Sequence, residues 1–468
     1  MENLDQYKKV HFIAIGGIGM SALARILLGR GITVTGSDEN ESHITEDLRR
    51  LGAVVYYGHK AEQLGDAQLV VVSSAIKYEN VEVEDAQRRG IPIWHRSKML
   101  NALMSEKESI TVAGAHGKTT TSSMLTTVLL AAGKKPAAIL GGELPQIGSN
   151  ACWGEGRYLV AEVDESDGSF LNLRCNYAVI TNIEADHLDY YKSLYHIEQA
   201  FVAYCNQLPA TGFALLGIDS DSVRKIVPQL TCSYITYGFS TDARLQAEQI
   251  VLQNGHSKFQ VIMDHTILGE IELQVPGKHN IQNALAVVGM CLQLGLTVPE
   301  IQQGLAAFTG SKRRFEKIGS FRDITVIEDY AHHPTEIRAA LAAARTFQSK
   351  CLIVVFQPHL YSRTRNLRND FGKAFFDADL VVLTDIFASR EKRPEPGVNG
   401  EMLLNAVHEL DPQRQVIYVA DKTQLPQQLA PLLLPGDMLI LMGAGDINQF
   451  GIPLLTELQE LAKGEIRS

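Results

Sequence analysis

Apolar residues in this chain gather into short unbroken runs, and between the runs they recur at helical spacing. In the first third the runs fall at 10–15, 32–35, 54–57, 69–72 and 91–93, with a helical segment at 19–28. In the last third they fall at 324–327, 351–356, 380–384, 416–419 and 438–442. Unbroken runs are what strands buried on both faces require. Strands alternating with helices imply a parallel sheet covered on each side. The middle third has runs of the same kind at 110–112, 158–163 and 177–183, and then changes character. Residues 250–252, 258–263 and 271–275 alternate like half-exposed strands, and Asn254-Gly255 is a hairpin signal. A helix is predicted over 284–294. The charged stretch Ser105-Glu106-Lys107-Glu108-Ser109 marks one boundary and residues 307–311 a second. The pattern predicts an α/β chain of three domains. Residues 1–106 and 309–468 are doubly wound, Rossmann-like units. Residues 107–308 are a central parallel domain with a small antiparallel extension.

Composition narrows the class. The chain of 468 residues is long enough for substantial cores, and its ordinary apolar fraction suits a globular protein. A net charge of −10 argues against a general nucleic-acid binder. The six cysteines are scattered, with no C-x-x-C pair, so neither a zinc ribbon nor a disulfide framework is indicated. The start, MENLDQYKK, is polar, and no apolar run reaches the roughly 18 residues of a membrane span. A cytoplasmic protein without membrane insertion is expected.

The strongest chemical signal is ITVAGAHGKTTT at 110–121. A strand end leads through Gly114, Ala115, His116 and Gly117 to Lys118, Thr119 and Thr120, which open a helical run ending at Gly133. Strand, glycine loop, Lys-Thr and helix together are the context of a phosphate-binding loop. Amides at the helix N-terminus face phosphate oxygens, Lys118 has the reach for β/γ-phosphates, and the Thr119 hydroxyl suits Mg²⁺. The first glycine of the usual pattern is replaced by Val112, so the loop is a variant. A plain strand–helix turn containing GKT is the bland alternative. Downstream, two strands end in acidic clusters, Glu162 to Asp167 and Glu184 to Asp189. Carboxylates there can hold magnesium, or simply form solvated loops.

Near the start, Ala14-Ile15-Gly16-Gly17-Ile18-Gly19 is almost G-x-G-x-x-G, and Asp38 follows about 20 residues later. Taken alone this is a weak dinucleotide signal, and glycines that merely permit close helix–strand packing are the alternative. Asn280 and Asn283 stand three apart at a helix start, either as caps or with amides for an adenine edge. In the last third, polar signatures cluster at strand ends: Glu328 to Pro334, Gln357-Pro358-His359, Thr384-Asp385 and Gly443 to Asp446. Adjacent residues rarely converge on one ion, so His332-His333 suit catalytic positioning better than metal ligation.

Taken together the motifs resemble one family, the Mur ligases of bacterial cell-wall synthesis. They are IGGIGM (15–20), GSD (36–38), SSAI (73–76), GAHGKTTT (114–121), EVDESDGSF (162–170), TNIEADHLD (181–189), PGKHNIQNALA (276–286), KRRFE (312–316), EDYAHHPTEI (328–337), FQPHLYSRT (356–364) and GAGDI (443–447). They run in family order over nearly the whole chain. Departures are Ala14 and Ala331 where glycine is common, and Ala115 where threonine is.

The resemblance implies a UDP-sugar domain, an ATP–magnesium domain and an amino-acid domain. It implies that the lactyl carboxylate of UDP-N-acetylmuramate is joined to the amine of L-alanine, with ADP and phosphate formed. It places Gly16, Gly17, Ile18, Gly19, Met20, Ser37, Asp38, Ser73 and Ser74 at the UDP-sugar. It places Gly114 to Thr120 at the ATP phosphates, and Thr119, Glu162 and His187 at magnesium, with Glu184 a weaker candidate. His279, Asn280 and Asn283 are implied at the adenine, Arg314 and Asp329 at the ribose or phosphates. Tyr330, His332 and Arg363 are implied around the reacting carboxylate and the amino acid, with Lys118, His332 and Arg363 as the catalytic set. Two alternatives stand beside this: a recycling ligase that adds a tripeptide to the same sugar, which FQPHLYSRT disfavours, and a nicotinamide oxidoreductase or nucleotide sensor.

Overall fold

The computed structural model describes residues 4–76, 79–389, 391 and 394–467. The chain divides into two compact units. One holds Met1–Ile250, Lys258–Leu273 and Asn280–Ser311, and the other Val251–Ser257, Gln274–His279 and Lys312–Ser468.

The first unit contains a five-stranded parallel sheet in the order Val54–Tyr57, Thr33–Asp38, Lys9–Ile13, Leu69–Val72 and Ile93–His95. The order reverses at Lys9–Ile13, so a crevice opens at the carboxyl ends beside that strand. The helix after it, Ile18–Gly29, buries Met20, Leu23, Ile26 and Leu27.

The ten-stranded sheet runs Thr266–Leu273, His256–Met263, Leu245–Gln253, Ser233–Gly238, Phe213–Gly217, Tyr177–Ile180, Glu108–Ala113, Tyr158–Glu162, Ala137–Leu144 and Ser149–Cys152. Glu108–Ala113 lies between Tyr177–Ile180 and Tyr158–Glu162, parallel to both. Both acidic strand ends therefore flank the strand that feeds the GKT loop. The predicted hairpin is present: Asn254 and Gly255 both have positive φ, 48° and 82°, the geometry of the tight turn that Asn-Gly favours.

The helix Lys118–Ala131 is buried on almost every side despite its polar sequence. Ser122, Thr126 and Thr127 donate to the carbonyls of Lys118, Ser122 and Ser123, so their hydroxyls are satisfied inside the helix. The helix predicted over 284–294 begins earlier, as Lys278–Gln293.

In the second unit a six-stranded sheet runs Glu316–Phe321, Ile324–Asp329, Met438–Met442, Leu352–Phe356, Leu380–Thr384 and Gln415–Val419. All pairings are parallel except that of Glu316–Phe321 with Ile324–Asp329. That edge strand was not predicted. Its positions alternate between half-buried and exposed, and a bulge falls between Lys317 and Gly319, so no unbroken apolar run announces it. The strands Phe213–Gly217 and Ser233–Gly238, and the pair Ala137–Leu144 and Ser149–Cys152, were likewise not predicted. Among the described residues no helix is long and apolar enough to cross a membrane.

Candidate active site

The GKT loop closes on the neighbouring strand end. Asn182 accepts from the Ala115 amide at 3.1 Å through its carbonyl and from the His116 amide at 2.8 Å through its side chain. The Thr181 hydroxyl donates to the His116 carbonyl at 2.7 Å. Glycine is required twice here. Gly114 has φ 134° and lies against Thr181 and Asn182, where a β-carbon would collide with both. Gly117 has φ 79°, and a β-carbon there would fall 2.5 Å from Asn283 Oδ1. Asn283 in turn donates to Asn280 Oδ1 at 3.3 Å, and both are buried within the helix Lys278–Gln293. They lie inside the helix as a bonded pair, with Asn283 against the loop glycine; they are not helix caps.

Lys118 Nζ turns back onto its own loop. It donates to both Glu165 oxygens, at 2.9 and 3.0 Å, and to the carbonyls of Gly114 and Ala115. Burial works against its charge, but Glu165, Glu162 and Asp164 together raise the lysine above its ordinary value. Burial pushes Glu165 upward while Lys118 pulls the other way, and the two-oxygen contact holds them as ammonium and carboxylate. Glu162 accepts from the Gly141 amide at 2.8 Å. His187 has φ 54°, and its Nε2 is 3.9 Å from Glu165 and 3.6 Å from Asp186. The His116 ring is 3.3 Å from Glu184. Thr119 is buried and Thr120 half-buried in the first helical turn. Carboxylates converging on one positive charge are oxygen donors of the kind a hard divalent cation prefers, and Thr119, next along the helix from Lys118, adds a hydroxyl, so these residues fit magnesium. His187 is the less usual donor for that ion.

The glycine loop of the five-stranded sheet is built differently. Ala14, in the place of the usual first glycine, takes φ 63°. Asp38 accepts from the Gly16 amide at 2.8 Å, so this acid braces the loop. Ile18 is exposed at the helix start, while the Met20 side chain lies in the apolar core. The Ser37 side chain is turned inward as well. Its strand is buried on both faces, so it is fully enclosed, and its hydroxyl donates to Glu82 at 2.7 Å beside His59. Ser74 bonds His95 at 3.0 Å and donates to Asp167, and Ser73 is half-buried beside it. Arg96, which the sequence did not single out, lies over this helix start: a β-carbon on Gly19 would be 3.4 Å from its Nη1. Arg96 also donates to Asp164 at 2.7 Å and lies 3.8 Å from Asp167. It holds Asp164 well below the usual carboxylate range despite burial.

In the second unit the strand end after Ile324–Asp329 gathers the remaining candidates. Asp329 accepts from the amides of Phe315 and Ala331 at 2.8 and 2.7 Å, and burial raises it to about 6. The guanidinium of Arg314 lies 5.1 Å from the Tyr330 ring, and that of Arg313 lies 4.8 Å from it. Burial and the charge of Arg314 hold the His279 imidazole down at about 4. His332 Nδ1 is 3.0 Å from the Tyr330 carbonyl, which can only accept, so this nitrogen carries a proton. The His332 and His359 rings are 5.8 Å apart, and Arg363 Nη1 is 3.2 Å from His359 Nδ1. His359 stacks on Phe387 at 5.9 Å. His359 and Glu165 both stand inside motifs that drew notice, but spacing alone could not pick them out. Arg96 had no signal.

Three family models match the chain in order: the Mur ligase family, catalytic domain over 9–108, the Mur ligase middle domain over 112–291, and the Mur ligase, glutamate ligase domain over 313–445. Among curated proteins the chain is similar to the UDP-N-acetylmuramate–L-alanine ligase of Geotalea uraniireducens, 45% identical over 97% of this chain and 98% of the relative. The protein of the same name from Trichlorobacter lovleyi is 46% identical over 96% of this chain and 99% of the relative. Among solved structures, the UDP-N-acetylmuramate–alanine ligase of Thermotoga maritima superposes with a TM-score of 0.84 at 30% identity, covering 97% of this chain and 99% of that one. A murein peptide ligase from Psychrobacter arcticus gives 0.71 at 25% identity, covering 96% and 98%.

Proposed function

The chain belongs to the Mur ligase family, and on that premise we propose that it is an ATP-dependent ligase joining L-alanine to the lactyl carboxylate of UDP-N-acetylmuramate in peptidoglycan precursor synthesis. The observation that carries this is the 45% identity, over 97% of the chain, to a ligase of that name. The lower likeness to the murein peptide ligase makes the tripeptide-adding reaction the weaker reading.

Chemistry dictates the rest of the outline. A carboxylate is a poor electrophile, so the γ-phosphoryl group of ATP is transferred to it, giving an acyl phosphate and ADP. The amine of L-alanine then attacks the acyl carbon, and the tetrahedral oxyanion collapses with loss of phosphate. Negative charge develops at both steps, and fixed cations stabilise it.

In this reading residues 1–106 bind the UDP-sugar, 107–308 the ATP and 309–468 the amino acid. The loop from Gly114 to Thr120 cradles the phosphates, with Lys118 on the transferred group. His279, Asn280 and Asn283 serve the adenine, and Arg314 and Asp329 the ribose or phosphates. Thr119, Glu162 and His187 would hold a magnesium ion, which neutralises charge on the transferred phosphoryl group. Gly16 and Gly17 let the backbone approach the diphosphate and the amides of the helix start at Ile18 and Gly19 face it, with Asp38, Ser73 and Ser74 nearby. Arg363 faces the charged carboxylate groups, and Tyr330 borders the amino acid. Because His332 Nδ1 donates to the Tyr330 carbonyl, its neutral ring keeps the lone pair on Nε2, suited to taking a proton from the attacking amine. Nucleotide-linked substrates place this work in the cytoplasm.

The test measures ADP release with UDP-N-acetylmuramate against a panel of amino acids and the tripeptide. Release that depends on L-alanine supports the reading, and release only with the tripeptide replaces it.

A further inference from the structure

Lys118 and Glu165 form an ion pair that the reaction outlined above does not use. Both Glu165 oxygens accept from Lys118 Nζ, and the glutamate side chain is only 5% exposed. While the pair stands, the ammonium is stowed against the Gly114 and Ala115 carbonyls, away from any phosphate. A lysine that binds triphosphate must leave this carboxylate, and a carboxylate so buried needs another positive partner when it does. The structure offers a place for one. Beside Glu165 a cavity of about 10 Å³, room for roughly one water-sized body, has Glu165, Glu184, Asp186, His187 and Tyr191 in its lining, with Ala115 and the apolar Ile183, Ile197 and Phe201 completing it. The Tyr191 hydroxyl donates to the Glu165 carbonyl at 2.5 Å, which fixes the backbone at this point.

We propose that Glu165 is a positioning residue that exchanges partners: it holds Lys118 in the empty enzyme, and when the triphosphate takes the lysine it turns its carboxylate to a divalent cation on the His187 side. This rests on the reading of Lys118 as the nucleotide-binding lysine. The exchange costs little because the carboxylate goes from one cation to another without being left bare. It also couples the two events, since nucleotide entry creates the anionic position that the cation fills.

The experiment is a double-mutant cycle on the full chain with Glu165→Gln and Lys118→Met, measured by calorimetric titration with a non-hydrolysable ATP analogue in chelator. Wild type should bind weakly without metal, because it must first break the pair. Glu165→Gln should bind on the order of tenfold tighter, the scale of one charge-assisted hydrogen bond. In the Lys118→Met background the same change should gain less than about twofold. A second readout is Mn²⁺ affinity of the enzyme–ADP complex by electron paramagnetic resonance, which Glu165→Gln should weaken by about tenfold.

If Glu165→Gln fails to fold, judged by circular dichroism, Glu165→Asp replaces it. That variant keeps the charge but withdraws it by one methylene, and should move both readouts in the same directions. An unchanged metal-free affinity, a gain that persists undiminished beside Lys118→Met, or an unchanged Mn²⁺ affinity overturns the proposal. Lys118→Met binding the analogue as wild type does overturns the underlying reading of the lysine and the proposal with it. Loss of binding in Lys118→Met with a silent Glu165→Gln overturns the proposal alone.

Discussion

The first unit contains two strand–glycine–helix turns, each at the carboxyl end of a strand with parallel neighbours on both sides and each offering a helix N-terminus. Backbone physics makes them near equivalents, since both present amides to an anion. Their side chains make them different. At Gly114 to Lys118 a lysine belongs to the loop itself, and Glu162, Asp164 and Glu165 converge on its charge. At Gly16 to Gly19 the loop has no cation of its own; Asp38 is spent on the Gly16 amide, and the guanidinium over the helix start comes from Arg96, nearly eighty positions further along the chain. A loop ringed by carboxylates calls for phosphates accompanied by a metal. A loop capped by an arginine suits a bare diphosphate. The lesson is that glycine spacing reports only how closely a phosphate can approach, and the charges brought from elsewhere in the fold decide which phosphate it is.

Breaking the comparison starts at the lysine. Lys118→Ala should lower turnover by about 10²–10³ at saturating ATP while circular dichroism stays native, because one transition-state contact is lost. Near-normal turnover would remove the distinction between the loops. Next comes the arginine. Arg96→Ala should weaken binding of the UDP-sugar by about tenfold to a hundredfold, the range of a charged hydrogen bond, with the KM for ATP little changed. A titration of the same variant and of wild type with NADH sharpens this. Wild type should prefer UDP-N-acetylmuramate, and tighter NADH binding would return the glycine loop to the dinucleotide class.

At the carboxylate ring, His187→Ala should raise the magnesium concentration for half-maximal rate by about tenfold and leave UDP-sugar affinity alone, as expected for a change at a metal site. A wild-type magnesium titration would take His187 out of that site. The smallest effect belongs to Ala14. Its left-handed backbone costs about 1–2 kcal/mol, whereas glycine adds about 0.5–1 kcal/mol of unfolded-chain entropy. Ala14→Gly should therefore raise stability by no more than about 1.5 kcal/mol in urea unfolding, and a clear loss would mean that the alanine methyl packs usefully.

Unbroken apolar runs located buried parallel strands because a strand covered on both faces leaves no polar positions to interrupt it; Leu69–Val72, Leu380–Thr384 and Met438–Met442 coincide with the runs at those positions. The same rule missed Glu316–Phe321, whose outer positions are exposed, and says little about Lys118–Ala131, where hydroxyls bonded to the helix's own carbonyls allow a polar run to be buried. Local motifs carried the backbone chemistry of the site, since glycines, an adjacent lysine and an N-terminal turn act within a few residues of one another. What the sequence by itself determined is thus the parallel strands of the five- and six-stranded sheets, the three strands around the GKT loop, the two phosphate-ready turns and the family. Only the tertiary structure decided that Ser37 and Met20 face inward, that Asn283 seats Gly117, that Glu165 among the acids holds Lys118, and that Arg96 crowns the other loop. The physical reason is that charge acts through space: partners 47 or 68 positions apart in sequence, such as Lys118 with Glu165 or Arg96 with Asp164, have no local signature until the sheet sets their strand ends side by side.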